Sequence, residues 1–278
     1  MTRASVHDYP ETMDLVPVSR VTVGGHSLAY RIAGDGPPIV LLHGFLCDSR
    51  CWREQLAGLS DYFTVLAWDA PGAGESFDPP ESFTIADWAE VLSAFLHSLG
   101  IERATVCGLS WGGMLAQELY RLDPARIARL VLADTYAGWK GSLPPEMVEK
   151  RLARCYRDAA RPVEEVAAEW VPAEFFADAS PQLAGEMANV FSDFHPIGFR
   201  LMARSLAETD TNDLLPSVEV PTLLLWGERD ERSPLSVAER FRASIRGARL
   251  VVLAGAGHVS NMEAPVPFND AVRSFALA

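Results

Sequence analysis

Short, nearly continuous apolar runs recur along this chain, and stretches with apolar residues at helical spacing separate them. Pro38–Leu42 reads PIVLL, and comparable runs occupy 63–68, 104–107, 127–133, 222–226 and 249–253. A strand that is apolar at successive positions is apolar on both faces, so both faces must be covered. The stretches at 52–59, 85–99, 111–122, 235–245 and 265–276 supply the covering helices. Strands joined by helices run parallel, because a helical crossover returns the chain to the same end of the sheet. Residues 18–23 and 28–32 flank Gly24-Gly25 and alternate instead, as an antiparallel hairpin does. The expected fold is α/β: a mostly parallel sheet with helices on both faces and an antiparallel start.

One region breaks the alternation. Residues 138–215 carry helical patterns without a convincing strand, and they are rich in large apolar side chains, among them Trp139, Trp170, Phe175, Phe176, Phe191 and Phe199. The expected organisation is a core made of 1–137 and 216–278, with 138–215 inserted as a helical cap or lid. Residues 1–16 read as a loose polar arm. Within the insertion, Lys150, Arg151, Arg154, Arg157 and Arg161 recur at near-helical spacing. They either draw in an anionic group or form a solvated face.

A formal charge of −13 over 278 residues argues against nucleic-acid binding and against anionic membrane surfaces. A small-molecule partner is expected, with the chain a monomer or homodimer. The opening residues hold no apolar signal core, and no apolar run reaches membrane-spanning length, so a cytoplasmic protein is expected. The four cysteines, Cys47, Cys51, Cys107 and Cys155, form no CxxC pair and read as reduced and buried. No metal site and no cofactor is expected.

The chemistry-bearing residues follow the apolar runs, where parallel strands end and active sites of open α/β sheets lie. Gly108-Leu109-Ser110-Trp111-Gly112 has the form G-x-S-x-G. The pattern alone arises by chance in roughly one chain in ten of this length. Its setting between a strand and a helix makes it a candidate nucleophile elbow rather than a helix-capping serine. Asp230 follows the run at 222–226, and His258 follows Arg249–Leu253. The order Ser, Asp, His makes Ser110, Asp230 and His258 the candidate catalytic residues. Asp134, after Ile127–Ala133, is the rival acid. The amides of Trp111 and Phe45 are the candidate oxyanion hole. His43 reads as a structural hydrogen-bonding residue under the Phe45 loop, and His195, in the insertion, as a candidate substrate contact. The turn Asp69-Ala70-Pro71-Gly72-Ala73-Gly74-Glu75-Ser76 reads as scaffold for the floor of the site. Trp139, Phe175, Phe176 and Val259 are candidate substrate-binding residues.

Taken together, His43-Gly44-Phe45, the turn from Asp69 to Ser76, Gly108-x-Ser110-x-Gly112-Gly113, Gly227-x-x-Asp230 and Gly257-His258 resemble the α/β-hydrolase superfamily over nearly the whole chain. The resemblance implies an eight-stranded sheet, a helical cap over 138–215 and no cofactor. The stretch Gly257-His258-Val259-Ser260-Asn261-Met262-Glu263-Ala264-Pro265 is similar to 3-oxoadipate enol-lactonases and related esterases. Trp111 departs from the Met or Gln often found after the nucleophile, and its indole is expected beside the site. Ser110 stands where haloalkane dehalogenases and epoxide hydrolases of this fold carry an aspartate. The expected activity is hydrolysis of a carboxylic ester or lactone through an acyl-enzyme. Carbon–carbon bond hydrolysis, perhydrolysis, a lyase reaction and slow-turnover ligand reception are the alternatives for the same residues.

Overall fold

The computed structural model describes residues 16–174 and 180–278. Among these residues, β1 (Ser19–Val23) and β2 (His26–Ala33) form a hairpin, with Val23 opposite His26. Gly24 and Gly25 make its two-residue turn at φ +58° and +85°. Two successive positive φ values match the right-handed twist of the strands, and glycine takes them without steric cost.

β2 pairs antiparallel with β4 (Thr64–Trp68). From there β3 (Pro38–Leu42), β5 (Ala104–Leu109), β6 (Ile127–Ala133), β7 (Thr222–Gly227) and β8 (Arg249–Leu253) continue in parallel. The described strands form one eight-stranded sheet in the order β1-β2-β4-β3-β5-β6-β7-β8. β5 and β7 are buried at every position, which requires cover on both faces. α1 (Arg53–Leu59) packs on the closing helix, and α2 (Ile85–Ser98) packs on α3 (Trp111–Leu122). Thr84 opens α2 as a reciprocal cap with Asp87, which satisfies amides that the helix itself cannot.

Between β6 and β7 lie α4 (Gly138–Ser142), α5 (Pro145–Asp158), α6 (Val163–Glu174), α7 (Pro181–Phe191) and α8 (Pro196–Glu208). Prolines open α5, α7 and α8, where their missing N–H costs nothing. The aromatic residues of this insertion pack onto the loop after β3. Phe199 stacks on Phe45 at 4.9 Å, and Trp139 and Trp170 meet Phe45 edge-on at 6.4 and 6.0 Å. The basic residues of α5, and Arg161 just beyond its end, do not form a single solvated face. Arg154, Arg157 and Arg161 converge on the carboxylate of Asp158, which is fully buried and also accepts the Trp170 indole N–H at 3.0 Å. Arg151 reaches the Tyr136 hydroxyl instead, at 3.2 Å.

α9 (Leu235–Ser244), α10 (Ser260–Glu263) and α11 (Pro265–Ala276) complete the chain. The four cysteines are buried. Among the described residues no helix is long and apolar enough to cross a membrane.

Register decides where function can sit. Leu42 pairs with Gly108, Leu109 with Ala133, Ala133 with Leu225, and Gly227 with Leu253. The carboxyl ends of these strands are therefore level, and the loops that leave them meet at one edge of the sheet.

Candidate active site

Ser110 links β5 to α3 with φ +51° and ψ −113°, a conformation that costs a non-glycine residue energy unless its surroundings impose it. The surroundings do so. The Ser110 amide donates to Ala133 O at 2.8 Å, and Ser110 O accepts from Thr135 Oγ1 at 2.5 Å and Gly113 N at 3.0 Å. The flanking glycines leave room for this turn. A Cβ on Gly108 would lie 2.2 Å from Gly112 O, and one on Gly112 would lie 2.1 Å from Leu42 O. Both obstacles are backbone, so neither can move aside.

Three side chains meet here from three loops. His258 Nδ1 lies 2.9 Å from Asp230 Oδ2, and His258 Nε2 lies 2.9 Å from Ser110 Oγ. An ionised carboxylate only accepts, so Nδ1 carries the proton and Nε2 is left to accept from the serine hydroxyl. All three residues are buried. The other oxygen of Asp230 accepts the amides of Arg232 and Ser233 at 2.9 and 2.8 Å, which fixes the carboxylate plane. Glu263 braces the histidine loop. Its carboxylate accepts the Gly257 and Val259 amides, on either side of His258, at 2.9 and 3.2 Å.

The loop after β3 lies against the serine: a Cβ on Gly44 would sit 3.4 Å from Ser110 Cβ. Among the described residues, neither the Phe45 amide nor the Trp111 amide donates a hydrogen bond to the protein. The Trp111 amide is the first of α3, one of the orphan donors that every helix start leaves. His43 lies beneath this loop. Its Nε2 accepts the Ala70 amide at 3.1 Å, so its Nδ1 donates to Gly44 O at 2.8 Å. Burial pushes the imidazole pKa down, which keeps His43 neutral. The Asp69 carboxylate holds the Ser49 and Glu75 amides at 2.8 and 3.0 Å, tying its turn to the same loop.

The Trp111 indole, expected beside the site, is directed into the interior. It is fully buried, edge-on to Trp88 at 5.3 Å, and its Nε1 donates to Ser205 Oγ on α8 at 2.9 Å. His195 reaches out of the insertion to Asp78 and to Gly74 O, and so braces the turn after β4. Trp139 packs on Phe45, and Val259 is buried next to His258. Phe175 and Phe176 lie outside the described residues.

Asp134 hydrogen-bonds elsewhere than His258. It is fully buried, and it accepts the Gly227 amide at 2.7 Å and the Ser260 hydroxyl at 2.5 Å. Burial, followed by the neighbouring Asp230, raises its pKa well above the usual carboxylate range. Tyr136, whose ring lies 6.3 Å from that of His258, is pushed up to about 12 by burial and stays neutral. The parts played by Glu263, Ser205 and Ser260 were not read from the sequence. Glu263 alone left a local signal, a carboxylate close after Gly257-His258 within the reach of one turn.

A family model described as alpha/beta hydrolase fold matches residues 37–265, most of the chain. The chain belongs to this family. Three solved structures illustrate the likeness. A hydrolase from Pseudomonas aeruginosa PA01 is 34% identical with a TM-score of 0.84, covering 94% of this chain and 98% of its own. The enol-lactonase from Burkholderia xenovorans LB400 is 30% identical with a TM-score of 0.85, covering 94% of this chain and 100% of its own. A thermophilic esterase from Thermogutta terrifontis is 30% identical with a TM-score of 0.85, covering 93% and 97%.

Proposed function

We propose that this alpha/beta hydrolase is a serine-dependent hydrolase that cleaves a carboxylic ester or lactone of a small, partly apolar substrate through an acyl-enzyme. One observation carries the reading: an unbroken buried relay from Asp230 through His258 to Ser110, with both links at 2.9 Å. Ser110 Oγ attacks the carbonyl carbon while its proton passes to His258 Nε2. The imidazolium that forms faces Asp230, which stabilises it and holds the tautomer. The carbonyl oxygen becomes an oxyanion facing the Phe45 and Trp111 amides, two donors with no competing bond among the described residues. Collapse expels the alkoxide, which takes the proton from His258. In a lactone the leaving oxygen stays tethered to the acyl group. Water then enters, gives a proton to His258 and attacks the acyl carbon, and Ser110 Oγ leaves with that proton.

The insertion acts as a cap in this reading, with Trp139 and Val259 among the apolar walls of the substrate pocket. Two of the solved relatives carry the names enol-lactonase and esterase, which supports the ester and lactone class. The test is a panel of p-nitrophenyl esters and lactones given to the wild type and to Ser110→Ala. The reading expects turnover by the wild type, lost in a folded Ser110→Ala variant. A wild type inert on the whole panel, or a Ser110→Ala variant that keeps the activity, overturns it.

A further inference from the structure

Two loops carry Asp230 and His258, and their geometry depends on how the loops are held together. The loops touch at glycines: a Cβ on Gly227 would lie 2.1 Å from Gly257 O, the residue before His258. Such a contact brings two backbones together but supplies no bond between these two residues. The Arg229 amide on Ala256 O at 2.8 Å and the Gly255 amide on the Glu228 carboxylate at 2.9 Å tie the loops on the side before His258. The tie that reaches past His258 comes from a third strand. Asp134 leaves β6 at φ +46°, a left-handed conformation that turns its carboxyl under both loops, and its own amide is anchored on Leu225 O at 3.0 Å. One carboxyl oxygen takes the Gly227 amide, three residues before Asp230. The other takes the hydroxyl of Ser260, two residues after His258.

We propose that Asp134 is a positioning residue whose single buried carboxyl clamps the Asp230 loop to the His258 loop and so sets the length of the bond between them. This rests on the role proposed above for Asp230 and His258. Its hydrogen-bond partners are neutral groups: the Gly227 amide and the hydroxyl and amide of Ser260. What the position needs is therefore a planar group with two hydrogen-bonding atoms, and its charge is incidental. Asparagine has that shape: its Oδ1 accepts the Gly227 amide, and its Nδ2 donates to Ser260 Oγ.

The test compares Asp134→Ala, Asp134→Asn and Ser260→Ala with the wild type on the best ester of the panel. A second readout needs no turnover: the downfield proton resonance of the His258 Nδ1–H bonded to Asp230, assigned by its loss in His258→Ala. Displacement of reacting groups by about an ångström costs on the order of a hundredfold in rate. Asp134→Ala and Ser260→Ala are expected to lose on the order of ten- to a hundredfold in kcat with little change in KM, and to weaken the downfield resonance. Asp134→Asn is expected to recover most of that loss and to keep the resonance. Ser260→Ala removes one arm only, so it gives a reading even where Asp134→Ala folds poorly. Unchanged kcat and resonance in Ser260→Ala overturn the clamp. So does an Asp134→Asn variant as impaired as Asp134→Ala, because the position would then require charge. A wild type that turns over no ester, yet shows a resonance that responds to these substitutions, separates failure of the proposed activity from failure of the clamp.

Discussion

The Trp111 indole and the Ser205 hydroxyl meet across 2.9 Å in the interior, and this bond joins the residue after Ser110 to helix α8 of the insertion. Ser205 also donates to Met202 O at 2.7 Å, so the indole N–H is the donor that this hydroxyl receives. Trp111→Phe keeps most of the ring packing against Trp88 and removes the donor. It should cost about 1 kcal/mol, the net value of a buried neutral hydrogen bond. Trp111→Ala also removes a large buried side chain and should cost about 3–5 kcal/mol. Chemical denaturation of the two variants checks both values. Equal losses would show that the hydrogen bond and the ring cannot be separated.

Asp230→Asn should retain the fold and lose the reaction. Asn presents an amide where His258 Nδ1–H needs an acceptor, so the imidazole can turn its proton toward Ser110. The expected loss in kcat is on the order of 10⁴-fold, with KM little changed. Steady-state kinetics on the best ester decides it.

Two glycines should respond in opposite directions to alanine. At Gly112 the new Cβ would meet Leu42 O at 2.1 Å, so Gly112→Ala should displace the loop after β3 and abolish activity or soluble expression. At Gly185, inside α7, a Cβ meets nothing within 4 Å. There Gly185→Ala should add roughly 0.5–1 kcal/mol by limiting the unfolded chain and favouring helix. Expression level and thermal melting of the pair provide the comparison.

The arginine cluster around the end of α5 should make the insertion sensitive to acid. Burial works against the charge of Asp158, but the Trp170 indole and Arg161, Arg157 and Arg154 outweigh it and hold the carboxyl below its usual range. A carboxyl held low contributes stability above the unfolded value, about 3.9, and loses it as pH falls through the folded value. Asp158→Asn should therefore destabilise the chain at pH 7 and matter progressively less below about pH 4. Melting temperatures across that range would expose the trend, and a constant deficit would contradict it.

Asp134 should behave in the opposite sense. Its carboxyl is held above the ordinary range, by burial first and the neighbouring Asp230 next. The stability linked to its neutral form is complete below about pH 4 and is lost as pH rises through the folded value. Asp134→Asn stays neutral throughout, so its melting temperature relative to wild type should climb as pH rises above about 4.

The strands, helices and hairpin follow from properties that neighbouring residues carry among themselves. Pro38–Leu42, Trp111–Leu122, Ile127–Ala133, Arg249–Leu253 and Pro265–Ala276 have the bounds that periodicity and turn chemistry predict. β5 runs past residue 107 to Leu109 because Gly108 and Leu109 find partners in Leu132 and Ala133, which no local pattern announces.

The approach of Ser110, Asp230 and His258 was foreshadowed by their places after successive strands, since parallel strands bring such positions to one edge. What register and packing alone decided is the set of partners. Asp134 clasps Gly227 and Ser260, Trp111 turns inward to Ser205, and three arginines close on Asp158. Periodicity and turn chemistry act over a few residues and can be read along the chain. A buried carboxyl or indole must find its partner wherever the folded sheet brings one, and that is a property of the assembled interior.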